Sequence, residues 1–241
     1  MARKTNSSDQ KPATRTALTR ERILDAAVAI ADERGVAAVT MREVASALGV
    51  EAMSLYNHVA NKDGLLDGMV DLVIEEIDLH DGLPDWREAM RRRAESARRV
   101  FEHHPWLPLL LDSRQSSGPA RLHYYDWVLG KLIEAGFSLD GAASAFSVLD
   151  SYIYGFGIQA SNLSGADDMT PEERTEVFRA VIPPEKYPYL NRMTLHAMEI
   201  GYDPEADFNF GLALVLDGLE RVLSSGKSAQ SGEQSVASGQ G

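Results

Sequence analysis

Residues 40–58 read Thr40-Met41-Arg42-Glu43-Val44-Ala45-Ser46-Ala47-Leu48-Gly49-Val50-Glu51-Ala52-Met53-Ser54-Leu55-Tyr56-Asn57-His58. Thr40 and Glu43 have the Thr-x-x-Glu spacing of a capping box, which predicts a helix opening at Met41. This helix turns Val44, Ala45 and Leu48 toward a core and stops at Gly49, which supplies the positive φ of a tight turn. Ala45 is small enough for a second helix to cross closely. That second helix is predicted from Glu51 or Ala52 to His58, with Leu55 and Val59 inward. Two short helices joined by Leu48-Gly49-Val50 form a helix-turn-helix pattern, whose second helix can lie in a DNA major groove. The same pattern also occurs in helix pairs that only build core. The outward set favours recognition. Ala52, Met53, Ser54, Tyr56, Asn57 and His58 are short or hydrogen-bonding, no acid follows Glu51, and Arg42 and Lys62 flank the segment. Such a surface suits base edges and phosphates.

Working outward, almost everything is helical by apolar spacing of three and four. Thr19 can cap a first helix lined by Ile23, Leu24, Ala27, Ile30 and Ala31 and ended by Gly35. Asn61 caps a fourth helix, predicted to about Asp78, that carries Leu65, Leu66, Met69, Val70, Val73 and Ile77. Further helices open at Asp85-Trp86-Arg87-Glu88, at Pro119 (to Gly136), at Ser138 (to about Asn162), at Thr170-Pro171 and at Asp203-Pro204 (to near Leu223). The expectation is an all-α fold: a three-helix helix-turn-helix head on a larger helical body. Residues 1–17 read as a disordered basic arm, 18–64 as the head, 65–223 as a ligand-binding and dimerisation domain, and 224–241, with six Ser and four Gly, as a disordered tail.

Charge sharpens this division. The chain of 241 residues has a net charge of -12, which alone argues against nucleic acid. Yet residues 1–66 carry nine bases and eight acids, while the remainder carries 15 bases and 28 acids. A near-neutral head with a basic arm on an acidic body fits a nucleic-acid-binding head. The absence of cysteine excludes disulfides, thiolate metal sites and a cysteine nucleophile. The apolar stretch at Leu107–Leu111 is far short of the roughly 20 residues that span a bilayer. The polar start after Met1 offers no signal-peptide core, so the cytoplasm is expected.

The stretches Thr40–Ala45, Leu48–Val50, Ser54–Val59 and Asn61-Lys62 with Leu65-Leu66 resemble the head of the tetracycline-repressor (TetR) family of bacterial transcription regulators. The match runs from about Leu18 to Ile77. Gly136-Phe137-Ser138-Leu139, Gly155, Phe210-Gly211-Leu212 and Gly218-Leu219-Glu220 are similar to the family's ligand-binding domain. The resemblance implies that Arg42 reads a base, guanine on the donor pattern of arginine. It implies that Ser54, Tyr56 and Lys62 touch phosphate or a neighbouring base, and that Asn57 and His58 end the recognition helix. Thr40 caps its helix and has a hydroxyl that phosphate can take; Tyr56 can alternatively pack under the head. The resemblance also implies a double-stranded DNA operator, a small-molecule effector and a homodimer. In the family's tetracycline-binding members a magnesium chelate is held by histidines, an asparagine and a glutamate. Asp78, Arg93 and Gln159 stand at three of those places, so neither magnesium nor another metal or cofactor is expected.

For the effector, Trp106, Tyr125, Trp127, Tyr152, Phe156 and Gln159 are the candidate lining residues, an aromatic set with few polar groups. Aromatics at helical spacing are also ordinary core. For the dimer, Phe208, Leu212, Val215, Leu219 and Val222 repeat at four and three, with Gly211 and Gly218 beside them, and Ala142, Ala145, Leu149 and Ile153 give a similar face. Two readings compete with a repressor. A small helical hydrolase needs paired acids in a cleft, whereas the acids here sit at caps and surface positions. An adaptor without DNA binding is opposed by Arg42, Tyr56 and Lys62.

Overall fold

A computed structural model describes residues 17–80, 82–114, 118–163, 177–178, 181–201 and 203–237. Among these the regular structure is helical, with no strand. The helices are α1 (Arg20–Arg34), α2 (Met41–Leu48), α3 (Ala52–Leu55), α4 (Lys62–Ile74), α5 (Trp86–His103), α6 (Leu107–Ser113), α7 (Pro119–Ala135), α8 (Leu139–Leu163), α9 (Pro188–Ile200) and α10 (Pro204–Ala237). The arm up to residue 16 and the helix start expected at Thr170-Pro171 lie outside the described residues. None of the described helices is long and apolar enough to cross a membrane.

The caps act where the residues predict. Thr19 Oγ1 accepts from Arg22 N (3.3 Å), Asn61 Oδ1 from Gly64 N (2.8 Å), Asp85 Oδ1 from Arg87 N (3.1 Å) and Asp203 Oδ1 from Glu205 N (3.0 Å). Gly49 sits at φ 66°, and the N–H groups of Gly49 and Val50 close a Schellman turn onto Ser46 and Ala45 (3.1 and 3.0 Å). The box at α2 is only half built. Thr40 Oγ1 accepts from Glu43 N (3.1 Å), but Glu43 turns its carboxylate to Arg34 of α1 (3.0 Å).

Ile23, Ala27, Val39, Val44, Leu55 and Leu65 close the head core with no exposure. α4 packs on α1 and also on α6 and α7. Its Leu65, Met69, Val70 and Val73 are all buried, so it belongs to both head and body. In the body α8 packs against α5, α6, α7 and α10.

Three expectations are corrected. α3 ends at Leu55 and a hydrogen-bonded turn carries the chain through Tyr56–His58, with His58 N donating to Leu55 O (2.9 Å). α4 stops at Ile74 because Asp78 is drawn to α5, where its N–H donates to Ser96 Oγ (3.0 Å). The last helix passes Leu223 and runs to Ala237, into the segment expected as a disordered tail. No proline interrupts it after Pro204, and extending an existing helix needs no new nucleus.

The dimer stripe needs a fourth correction. Phe208 and Leu212 of α10, and Ala142, Ala145, Leu149 and Ile153 of α8, are buried inside the single chain. These residues belong to the core of the single chain, whereas Val222 of the same stripe is 61% exposed. A Cβ at Gly211 would collide with the Tyr152 hydroxyl, so this glycine serves a contact between α8 and α10 within the chain. Gly218 has nothing within 4 Å.

Candidate functional site

The helix-turn-helix points its outward set into solvent. Leu55 and Val59 are buried, so the faces between them are free to project. Met53 is 74% and Tyr56 45% exposed, Asn57 and His58 are exposed, and Ala52 and Ser54 are half-buried against the head. Thr40, half-buried, uses its oxygen as the α2 cap and keeps its O–H to donate. Arg42 and Lys62 are exposed and carry no ion pair among the described residues. Two other head arginines are occupied: Arg34 by Glu43 and Arg22 by the carbonyl of Ala17 (2.7 Å). One surface thus gathers two unpaired cations, a phenol, an amide, an imidazole and small side chains, without a carboxylate from Ala52 to Lys62. That inventory can donate to phosphates and reach base edges.

The six residues singled out for the effector do not meet in one place. Trp106 is at the joint between head and body, where its indole N–H donates to Asp32 Oδ1 of α1 (2.7 Å). His104 Nδ1 meets the same oxygen (2.7 Å), and its Nε2 faces Glu76 Oε2 (3.3 Å). Tyr125 stacks edge-on against Phe146 with centroids 5.3 Å apart. Tyr152 donates to the Phe208 carbonyl (2.8 Å), and Phe156 and Phe208 stack at 5.1 Å. Trp127 is half-buried with an unpartnered indole N–H, and Gln159 is exposed. The Asp32 joint was not legible, because it joins residues 72 and 74 positions apart. Asp32→Ala is expected to cost about 1–3 kcal/mol, since it strands a buried indole N–H and an imidazole. Urea unfolding checks this, and Asp32→Asn, which keeps an acceptor oxygen, should recover part of the loss.

A cavity of 390 Å³ opens between the end of α4 and the first turns of α7, lined by Ile74, Glu75, Leu79, Ala120, His123 and Tyr124 among others. None of the six predicted residues lines it. Behind Tyr124 stands Arg93 of α5, which is fully buried. Its Nη1 donates to Asp150 Oδ1 (2.8 Å) and to the Tyr124 hydroxyl (2.7 Å), and Tyr154 donates to Asp150 Oδ2 (2.9 Å). Burial pushes the Tyr124 hydroxyl far above the ordinary phenol range, so it stays neutral. Sequence reading put Arg93 only at the place of a replaced chelate ligand, and missed Tyr124 and Asp150. The available signal was a carboxylate within the apolar run Val148-Leu149-Asp150-…-Ile153.

Comparison with known proteins accounts for both halves. Residues 23–69 match the family model for bacterial regulatory proteins of the tetR family, and residues 80–223 match the tetracyclin repressor-like C-terminal domain. The HTH-type transcriptional repressor DrrR1 of Streptomyces coeruleorubidus is 33% identical over 86% of this chain and 78% of that protein. The class D tetracycline repressor of Escherichia coli is 30% identical over 86% of this chain and 91% of its own. The apo crystal structure of ActR from Streptomyces coelicolor superposes with a TM-score of 0.72 at 26% identity, covering 88% of this chain and 99% of that one. ActR has also been solved in complex with actinorhodin, at a TM-score of 0.70, 25% identity and coverage of 86% and 99%. The chain belongs to the tetR family of bacterial regulatory proteins, as a ligand-responsive, DNA-binding transcriptional repressor.

Proposed function

We propose that the chain acts as a homodimer in the cytoplasm and reads a palindromic operator through Arg42, Ser54, Tyr56, Asn57, His58 and Lys62, with Thr40, Ala52 and Met53 completing the face. A small apolar or aromatic effector releases it. The observation that carries the DNA reading is the exposed face of α3 and its following turn, beside two cations that no carboxylate among the described residues pairs with. Two such faces must sit about 34–36 Å apart to read one operator. α4 sets that spacing because it is packed into both head and body. A ligand in the cavity against the end of α4 would tilt it and change the spacing. A tenfold loss of operator affinity needs about 1.4 kcal/mol of coupling between the two sites.

The test is a gel-shift against the DNA flanking the protein's own gene. Arg42→Ala is expected to cost about 1–3 kcal/mol and to relax preference at one base pair in each half-site. Lys62→Ala should weaken all sequences alike and flatten the salt dependence. Unchanged affinity and base preference in Arg42→Ala would overturn the assignment of the face.

The release experiment separates effector classes. The places that hold a magnesium chelate in the tetracycline-binding relatives are Asp78, Arg93 and Gln159 here, and Arg93 already bonds Asp150 and Tyr124. Release by aromatic compounds is therefore expected in the presence of EDTA. Release by tetracycline that requires magnesium would contradict this.

A further inference from the structure

We infer that His104 is a proton-dependent latch between head and body: its imidazolium pins the segment just beyond α4 and so positions the heads for operator DNA. The inference rests on the reading that α4 sets the spacing of the heads, and adds a proton as a second input to that spacing.

His104 ends α5 with its N–H on the Val100 carbonyl (2.8 Å), and its side chain is buried. Two carboxylates face the ring from different elements. Asp32 of α1 meets Nδ1 at 2.7 Å, and Glu76, in the turn after α4, meets Nε2 at 3.3 Å. The third titratable neighbour is His103, exposed and edge-on with ring centroids 4.8 Å apart. A neutral imidazole has one N–H and one bare lone pair, so it can donate to only one of the two carboxylates. The other carboxylate would then face a lone pair. The imidazolium donates to both, so the three-way joint closes only when both ring nitrogens carry protons.

The two arms are unequal. The Nδ1 contact is the shorter, and the Asp32 oxygen it uses is fixed from a second side by the Trp106 indole N–H (2.7 Å). Glu76 is exposed and its contact is the longer. The proton therefore leaves from Nε2, and Glu76 lets go while Asp32 keeps its bond. Release of Glu76 frees the end of α4, which is packed into both head and body. An operator takes both heads at one spacing, so a freed α4 must be ordered again on binding, which weakens it. Histidine changes charge between about pH 5 and 8. The latch is closed on the acid side of that range and open on the alkaline side.

Two measurements on the full-length protein test this. Without DNA, 15N-histidine labelling follows both ring nitrogens through a pH titration, with His104→Gln identifying the signals. His104 is expected to lose the Nε2 proton and keep Nδ1–H. Loss of the Nδ1 proton instead, or one protonation state throughout, overturns the inference. With the DNA that flanks the protein's own gene, gel-shifts from about pH 6 to about pH 8 are expected to show affinity falling roughly fivefold or more. His58 on the DNA face adds a pH dependence of its own, which persists in the variant and cancels in the comparison. Glu76→Gln is the decisive variant. Its exposed position spares the fold, and its amide meets Nε2 in either state, the oxygen accepting from N–H or the NH2 donating to the lone pair. This variant should hold its affinity on the alkaline side, better than the unaltered chain by that same factor. Matching pH profiles for the two proteins overturn the inference. A protein that binds this DNA at no pH fails the operator reading instead, and the histidine titration still decides the latch.

Discussion

Arg93→Met is expected to lower the unfolding free energy by about 3–5 kcal/mol, because it strands Asp150 as an unpaired buried carboxylate. Arg93 is fully buried and Asp150 6% exposed, and they meet at 2.8 Å with Tyr124 and Tyr154 completing the network. No other cation among the described ion pairs reaches Asp150. Asp150→Leu should be comparably damaging, since it leaves the guanidinium without its counter-charge. The double variant Arg93→Met/Asp150→Leu removes both charges at once and should recover much of the loss. Urea unfolding of the four proteins at one fixed concentration closes a double-mutant cycle. A coupling below about 0.5 kcal/mol would mean that the two charges do not depend on each other.

This network also shows where sequence reading stops. Residues Met90, Arg93, Ala94 and Ala97 fall on one face of a helix by spacing alone, and three of the four are apolar. A charge at such a position signals a buried partner without naming it. The partner is 57 residues away, on a helix whose register against α5 depends on packing. Local chemistry is more legible. Thr19, Gly35, Thr40, Gly49, Asn61 and Asp85 each act within four residues of themselves, so caps and turns follow directly from residue type. The exposed set around α3 is legible for the same reason, because Leu55 and Val59 fix which side of a short helical segment is inward.

The effector site was less legible because aromatic residues serve several purposes. Trp106 holds Asp32 at the head–body joint, and Tyr152 and Phe156 pack with Phe208 between α8 and α10. The cavity itself is lined mostly by aliphatic residues, with Glu75, His123 and Tyr124, at the spacing of any core helix. The far end of the chain misled in a different way. A Ser- and Gly-rich composition reads as a tail, yet α10 runs through it to Ala237.

The same ambiguity bears on the dimer, and resolving it gives the largest expected effect on DNA binding. With Phe208 and Leu212 committed to the chain's own core, the outer face of α10 is the row Phe210, Ala213, Leu214 and Asp217. Phe210 is 70% and Leu214 56% exposed, one turn apart. Beside them α8 exposes Ser144, Ser147, Val148 and Ser151, small side chains that leave hollows for large ones. Large knobs on one helix and small positions on its neighbour suit a two-fold packing of α8 and α10 against a second copy. Burying each knob is worth about 1.5–3 kcal/mol, and the two-fold axis counts every residue twice. Phe210→Asp/Leu214→Asp is therefore expected to sediment as a monomer at micromolar concentration. Losing the second head should lower operator affinity by roughly 100-fold or more. Subunit stability should hardly change, because both side chains stand in solvent in the single chain. Leu212→Ala supplies the opposite signature: at 1% exposure it belongs to the chain's own core and should cost about 2–5 kcal/mol of stability. A Phe210→Asp/Leu214→Asp protein that stays dimeric, or that binds operator as tightly as before, would place the subunit interface elsewhere.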